Sequence, residues 1–356
     1  MEQAWHQLRQ FQPEGWPVDI VSAGFIQQVT WAAGVLNISL RWPLAADDWQ
    51  RQLQAALEPG LLALPGVTAV NWQVRQDVAT LARATQVAAI PGVRNVIAVA
   101  SAKGGVGKST VAVNLALALS LQGARVGLLD ADIYGPSVPL MLGSQNERPD
   151  SPDGKHMLPI KVCGLATLSI GYLVPAAESV VWRGPMASKA LGQLLHETLW
   201  GELDYLIVDM PPGTGDLQLT MAQQIPTTTV IMVTTPQDVA LIDVRKGISM
   251  LDKVHIPVLG VVENMSVHVC SHCGHEESLF GCGGGEALAQ EFNIPLLATL
   301  PLHIAIRQSM DAGSPIVAAM PDSPIAERYR NLAKQVAVRL YFSGKTIPAT
   351  IFTAPA

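Results

Sequence analysis

Residues 101–110 read Ser-Ala-Lys-Gly-Gly-Val-Gly-Lys-Ser-Thr. The apolar run Val96–Ala100 precedes them, and Lys108–Leu121 after them has helical character. A glycine-rich turn between a strand and a helix is the setting of a phosphate-binding loop. Gly104, Gly105 and Gly107, with Val106 among them, permit positive φ, so successive backbone N–H groups converge on phosphate oxygens. The helix N-terminus adds its partial positive charge. Lys108 is expected to reach the β- and γ-phosphates, and Ser109, followed by Thr110, to ligate Mg²⁺. Ala102 stands where the general pattern has its first glycine. A plain glycine-rich turn is the bland alternative, and acidic motifs downstream weigh against it.

The run Val126–Leu129 leads into Asp130-Ala-Asp132, and Tyr205-Leu-Ile-Val-Asp209 leads into Met-Pro-Pro-Gly213-Thr-Gly-Asp216. Ligands bind at the carboxyl ends of strands in open α/β sheets. Asp209 is therefore placed to hold Mg²⁺ through water. Gly213 offers a backbone N–H to a γ-phosphate, which makes 210–216 a candidate switch. The plain reading of each aspartate is a helix cap or a turn.

Further apolar runs at Thr229–Val233, Val258–Val262 and Leu296–Leu300 alternate with helical stretches. Strands alternating with helices predict an α/β P-loop NTPase with a mostly parallel central sheet and helices on both faces, over residues 91–356. Residues 1–90 read as a small α+β domain. It has a helix over Met1–Phe11, two strands around Ala32-Ala33-Gly34, a helix carrying Trp49, Leu53 and Leu57 on one face, and a strand at Val67–Val74. Pro91-Gly92 marks the boundary. Leu142–Lys161 and Val267–Gly285 read as loops, and the tail from Phe342, with Pro348 and Pro355, as non-helical.

The 356 residues suit two domains at about 150 residues each. A hydrophobic fraction of 49% against 15% charged excludes a largely disordered chain. A net charge of −6 argues against a nucleic-acid backbone binder. No apolar run reaches the ~18 residues of a membrane span, and Met1–Gln10 lacks a secretory pattern. The expectation is a cytoplasmic protein that binds neither membrane nor nucleic acid.

Cys270 and Cys273 form a CxxC in the second loop. That spacing serves a redox pair, a zinc site or an iron–sulfur cluster. One chain supplies only two thiols from it. A two-fold dimer supplies four, enough for a [4Fe–4S] cluster or Zn²⁺. His268, His272 and His275 offer zinc ligands within one chain, although a solvated polar loop is the simpler reading. Cys282, in a glycine run, reads as a small turn residue rather than a third ligand. Cys163, in an apolar stretch, is expected to be a small buried hydrophobe.

The run Lys103–Ser109 resembles the deviant Walker A of the MinD/ParA/nitrogenase-iron-protein class. With Asp130–Ser137, Trp182–Met186, and Glu263-Asn-Met-Ser266 followed by Cys270-Ser-His-Cys273, the chain resembles the Mrp/ApbC family of iron–sulfur cluster carrier ATPases from about Ile90 to Pro348. The resemblance implies that Lys103 reaches across a homodimer to the partner's ATP. It implies that Asp132 positions the attacking water, that Asp209 serves Mg²⁺, and that Asn264 reads adenine. It also favours a [4Fe–4S] cluster bridged by Cys270 and Cys273 and passed to apo-proteins. Val18–Val21 and Leu64–Val67 resemble a small iron–sulfur assembly domain, but no cysteine precedes Cys163. A protein-contact role is the reading that remains for residues 1–90.

Three rivals differ in chemistry. A partitioning ATPase needs DNA or membrane and has no use for CxxC. A zinc-stapled dimer keeps the nucleotide site without cluster transfer. An electron-transfer ATPase of the nitrogenase kind draws its cysteines from separate segments.

Overall fold

The computed structural model describes residues 1–174 and 184–347. Trp182 and Arg183 of the motif quoted above, and the tail from residue 348, lie outside the described residues.

The N-terminal unit runs α1 (Glu2–Leu8), β1 (Ile26–Ala32), β2 (Val35–Trp42), α2 (Asp47–Leu62) and β3 (Ala69–Gln76). Ala33 and Gly34, at φ +50° and +83°, form the two-residue turn between β1 and β2. Positive φ at both central residues matches the twist of an antiparallel hairpin. β2 pairs in parallel with β3, and α2 is the crossover between them. Trp49, Leu53, Leu57 and Leu61 form the buried stripe of α2.

The second unit begins with β4 (Val93–Ala100), α3 (Lys108–Leu121), β5 (Val126–Asp130), α4 (Val138–Met141), β6 (Ile160–Val162) and β7 (Leu165–Ser169). It continues with α5 (Gly184–His196), β8 (Leu203–Asp209), α6 (Asp216–Gln224), β9 (Thr229–Thr234), α7 (Asp238–Lys253) and β10 (Val258–Glu263). The last elements are β11 (His268–Val269), β12 (Glu276–Glu277), α8 (Gly284–Phe292), β13 (Leu296–Thr299), α9 (Ile304–Asp311), α10 (Ile316–Ala319) and α11 (Pro324–Ser343). The main sheet has the order β13-β10-β9-β4-β8-β5-β7-β6, and only β6 runs antiparallel. β5, β8 and β9 are buried along their whole length. That is why they read as unbroken apolar runs, for helices cover both faces. α3 is apolar around its circumference because it lies between the sheet and the helices α10 and α11. This is the P-loop NTPase fold.

The first region read as a loop runs into a short strand at its end, and the second carries two. β6 and β7 form an edge hairpin whose turn is Cys163-Gly164, at φ +50° and +78°. Cys163 is therefore exposed rather than buried. A side chain at the tip of a two-residue turn points away from the core, which corrects the buried-hydrophobe expectation. In the second loop, β11 and β12 form a two-stranded ribbon.

The two units share packing. Trp16 meets Phe25, Trp49 and Phe342 edge-on at centroid distances of 5.5–5.6 Å, and Phe25 meets Tyr341 at 5.5 Å. Tyr341 and Phe342 belong to α11, so its C-terminal end completes the aromatic core of the N-terminal unit. Gln122, just past α3, donates from its amide to Asp48 Oδ2 at 2.6 Å and accepts from the Asp48 N–H at 2.9 Å.

Candidate functional site: a phosphate loop beside a cysteine hairpin

The parallel register brings the carboxyl ends of β4, β5, β8, β9 and β10 to one edge of the sheet. The loop 101–107 leaves β4 there and enters α3 through Gly107, which is left-handed at φ +81°. Gly105 is also at φ +81°. Gly104 is not, and a Cβ there would meet nothing within 4 Å, so the positive-φ expectation holds for two of the three glycines. Ala102 is buried, and a Cβ placed on Gly247 of α7 would lie 3.7 Å from its methyl. That is ordinary van der Waals contact, so the Ala102 methyl is accommodated against α7 where the general pattern has glycine. Lys103 is exposed and has no ion-pair partner among the described residues, while its carbonyl accepts from Ser101 Oγ at 3.0 Å.

Lys108 is buried, and its Nζ lies 2.5 Å from Asp209 Oδ1 and 3.2 Å from Ser109 Oγ. Asp209 Oδ2 is buried with no hydrogen-bond partner among the described residues. An orphaned carboxylate oxygen and a serine hydroxyl, on side chains that both touch Lys108 Nζ, are oxygen donors of the kind that fit a hard cation such as Mg²⁺. Asp130, fully buried, accepts from the N–H groups of Asp132 and Val138 at 3.1 Å each and from Ser169 Oγ at 3.0 Å. It thus caps the start of α4 and shapes the turn at 131–135, as the plainer reading of an aspartate in such a place anticipates. Burial, then the neighbouring Asp209 carboxylate, pushes Asp130 well above the usual carboxylate range. Asp132 is raised in the same way, first by burial, with Lys108 pulling the other way.

Gly213, at φ +123°, donates its N–H to Ser101 O at 2.9 Å. The candidate switch is thereby latched to the phosphate loop. Asn264 follows β10, and its Nδ2 donates to Val106 O at 2.8 Å. A Cβ on Gly107 would come within 2.2 Å of that nitrogen, so the glycine is required for close approach as well as for its φ. The loop residues, Asp132, Asp209, Gly213 and Asn264 are therefore one neighbourhood.

Cys270 and Cys273 occupy the turn of the β11–β12 ribbon. The Cys270 N–H donates to His275 O and the Gly274 N–H to Cys270 O, each at 2.9 Å. Cys270 is half-buried and Cys273 exposed. The N–H groups of Cys273 and His272, with the Cys273 thiol, hold the Cys270 thiol below its ordinary range. Among the described residues, no three His, Cys, Asp or Glu side chains converge as a metal-holding group. His268, His272 and His275 thus do not assemble a site with the two cysteines in one chain. Cys282 is exposed between Gly281 and Gly283, both at positive φ.

The roles of two residues of this edge escape a reading of the sequence. Ser169 bonds Asp130 from the unrecognised strand β7. Glu263 accepts from the Gly285 N–H at 2.5 Å, fastening α8 to the end of β10. The available signal for Glu263 is an acid closing an apolar strand directly before Asn264.

Residues 92–337 match the family described as NUBPL iron-transfer P-loop NTPase, of the ParA group. The chain is 52% identical over 344 residues to the iron-sulfur cluster carrier protein of Haemophilus influenzae, covering 97% of this chain and 93% of that one. It is 55% identical over 326 residues to the protein of the same name from Escherichia coli K12, covering 92% and 88%. Among solved structures, a nucleotide-binding protein from Archaeoglobus fulgidus in complex with ADP aligns with TM-score 0.58 and 34% identity, covering 66% of this chain and 91% of that one. The cell-division ATPase MinD of Pyrococcus furiosus aligns with TM-score 0.51 and 25% identity, covering 68% and 98%.

Proposed function

The chain belongs to the NUBPL iron-transfer P-loop NTPase family, and from that premise we propose that it is an ATP-hydrolysing carrier of a [4Fe–4S] cluster. Two copies hold the cluster between them and deliver it to apo-proteins. We assign residues 91–356 to the ATPase and residues 1–90 to an accessory unit that contacts other proteins.

The observation that carries this reading is the cysteine hairpin itself. Its two thiols are accessible, no third ligand converges on them in the described chain, and the backbone from the phosphate loop's neighbour Asn264 reaches Cys270 in six residues. Two ligands per chain leave a four-iron cargo incomplete until a second copy supplies the other two. A cargo held at an exposed seam is open to an acceptor's thiolates. Names of the relatives, iron-sulfur cluster carrier proteins, support the same reading.

In the ATPase cycle, the amides of 104–108 receive the phosphates and Lys108 moves from Asp209 to the β- and γ-phosphate oxygens. Ser109, and Asp209 through water, would hold Mg²⁺, which supplies neutralisation of phosphate charge when bound. Lys103 reaches the partner's nucleotide and Asn264 the adenine. Asp132 orients the water that attacks the γ-phosphorus, with ADP as the leaving group. Gly213, released from Ser101 O, transfers its N–H to the γ-phosphate and so signals its presence.

The test is cluster transfer. The reconstituted protein, mixed anaerobically with an apo-aconitase, should restore acceptor activity. Cys270→Ala with Cys273→Ala should not. Transfer undiminished in the double variant would overturn the proposal.

A further inference from the structure

Asn264 lies at a junction. Its N–H donates to Thr234 O at 2.7 Å at the end of β9, and its side-chain Nδ2 to Val106 O at 2.8 Å across 158 residues of sequence. Beyond it the chain does not become a free loop. The Ser266 N–H donates to Leu300 O at 3.0 Å, the Leu302 N–H to Val267 O at 2.7 Å, and the Val269 N–H to Leu302 O at 3.2 Å. After a left-handed bend at Met265, the segment 266–269 is therefore held against 300–302. At its end stands Cys270. Beyond the hairpin, the start of α8 is fastened back to the end of β10, through the Gly285 N–H on Glu263 Oε2. Met265 sits at φ +57°, a conformation unusual for a side-chain-bearing residue, and its Cε lies 3.7 Å from where a Gly107 Cβ would be.

A phosphate loop presents its N–H groups inward only if its carbonyls turn outward. A donor fixed on the outer side of Val106 O favours that arrangement. The same donor is the first residue of the short segment that leads from β10 to the cysteines. We propose that Asn264 is a positioning residue that ties the Val106 carbonyl to the base of the Cys270/Cys273 hairpin, so that nucleotide in the loop and the state of the thiol pair are coupled. The proposal rests on the reading of 102–110 as the nucleotide site, and not on the identity of the cargo. It also leaves room for the adenine contact, since a carboxamide has a second N–H and a carbonyl to offer. Linkage makes the coupling reciprocal: whatever nucleotide does to the hairpin, filling the hairpin does to nucleotide affinity by the same factor.

The experiment is iodoacetamide labelling of Cys270 and Cys273 in the full cluster-free chain, followed by peptide mass, with and without saturating Mg²⁺ and a non-hydrolysable ATP analogue. In the wild type, the analogue should change the labelling rate by about fivefold or more, the lower end of ordinary allosteric couplings. In Asn264→Ala, titrated to confirm that the analogue is bound, the ratio should fall to about one. A wild-type ratio of one with analogue bound, or an Asn264→Ala ratio equal to the wild type's, would overturn the proposal.

Should Asn264→Ala bind no analogue, Asn264→Asp, which keeps the shape without the donor, takes its place in the labelling. Hydrogen exchange on nucleotide-free Asn264→Ala gives an independent answer. Faster exchange in both 104–108 and 267–277 supports the coupling, and a change confined to 264–266 contradicts it. No iron enters any of these measurements. A chain that shows the coupling but binds no cluster would keep this inference and lose the carrier reading.

Discussion

Lys108 Nζ and Asp209 Oδ1 stand 2.5 Å apart, with both side chains buried. The phosphate-loop lysine is thus partnered by the acid of the neighbouring strand. Removing one member of a buried pair leaves an uncompensated charge, which costs about 3–5 kcal/mol. Lys108→Ala should therefore lower the denaturant midpoint as well as abolish ATP binding. Asp209→Asn, which keeps the shape and loses the charge, should be milder in stability and still lose hydrolysis. Urea titration together with nucleotide titration checks both. A Lys108→Ala protein of wild-type stability and affinity would contradict the pairing and the site together.

Asp130 gives a pH dependence with a definite sign. Its carboxyl is pushed up to about 7 from an ordinary 3.8, first by burial and then by Asp209. Between those values the folded chain holds a proton that the unfolded chain has released. Unfolding free energy therefore falls as pH rises from about 4 to about 7, and this contribution is fully present only below the lower value. Asp130→Asn cannot titrate, so its stability should fall less over that window, by at least about 1 kcal/mol, the worth of one pKa unit. Urea midpoints at pH 5 and pH 7.5 for both proteins read the difference. Equal slopes would remove the raised carboxyl from the account.

Thiol chemistry should separate the cysteines. Cys270 is held low by the hairpin N–H groups, whereas partial burial pushes the Cys163 thiol up. The thiolate is the nucleophile. At pH 7, iodoacetamide should reach Cys270 before Cys163, although Cys163 stands in an exposed turn. Peptide mass after brief labelling reports the order, and the reverse order would contradict it.

The N-terminal unit should not unfold by itself. Six of the eight tryptophans, at 5, 16, 31, 42, 49 and 72, lie in it, so indole fluorescence follows that unit while far-ultraviolet dichroism follows the whole chain. Trp16 joins the two units through Trp49 and Phe342. The fluorescence and dichroism midpoints should coincide, as for one cooperative transition. Trp16→Ala should lower both together, by about 3–5 kcal/mol. Fluorescence lost well before dichroism would show that the units unfold separately.

Much of this architecture was legible in the sequence, for identifiable reasons. Strands buried on both faces carry apolar runs that end in acids, so β5 and β8 announce themselves through Asp130 and Asp209. The phosphate loop is legible because its glycines, lysine and serine are adjacent in sequence. β7, Leu-Ala-Thr-Leu-Ser, is not, since it lacks β-branched density and follows a loop rich in proline and aspartate. Missing β7 hid Ser169 and misplaced Cys163. The Asn264–Val106 bond was illegible for a different reason. It joins positions 158 residues apart, and only the parallel register of β4, β9 and β10 brings them together. The latch from Gly213 to Ser101 O is of the same kind.

The central claim is that Cys270 and Cys273 from two chains hold one [4Fe–4S] cargo. The most direct measurement is iron and acid-labile sulfide per dimer after anaerobic reconstitution, with zinc counted in parallel, on the wild type and on the Cys270→Ala, Cys273→Ala protein. The account predicts about four iron and four sulfide per dimer, lost in the double variant. Stoichiometric zinc with no iron, or iron retained without the two thiols, would contradict it.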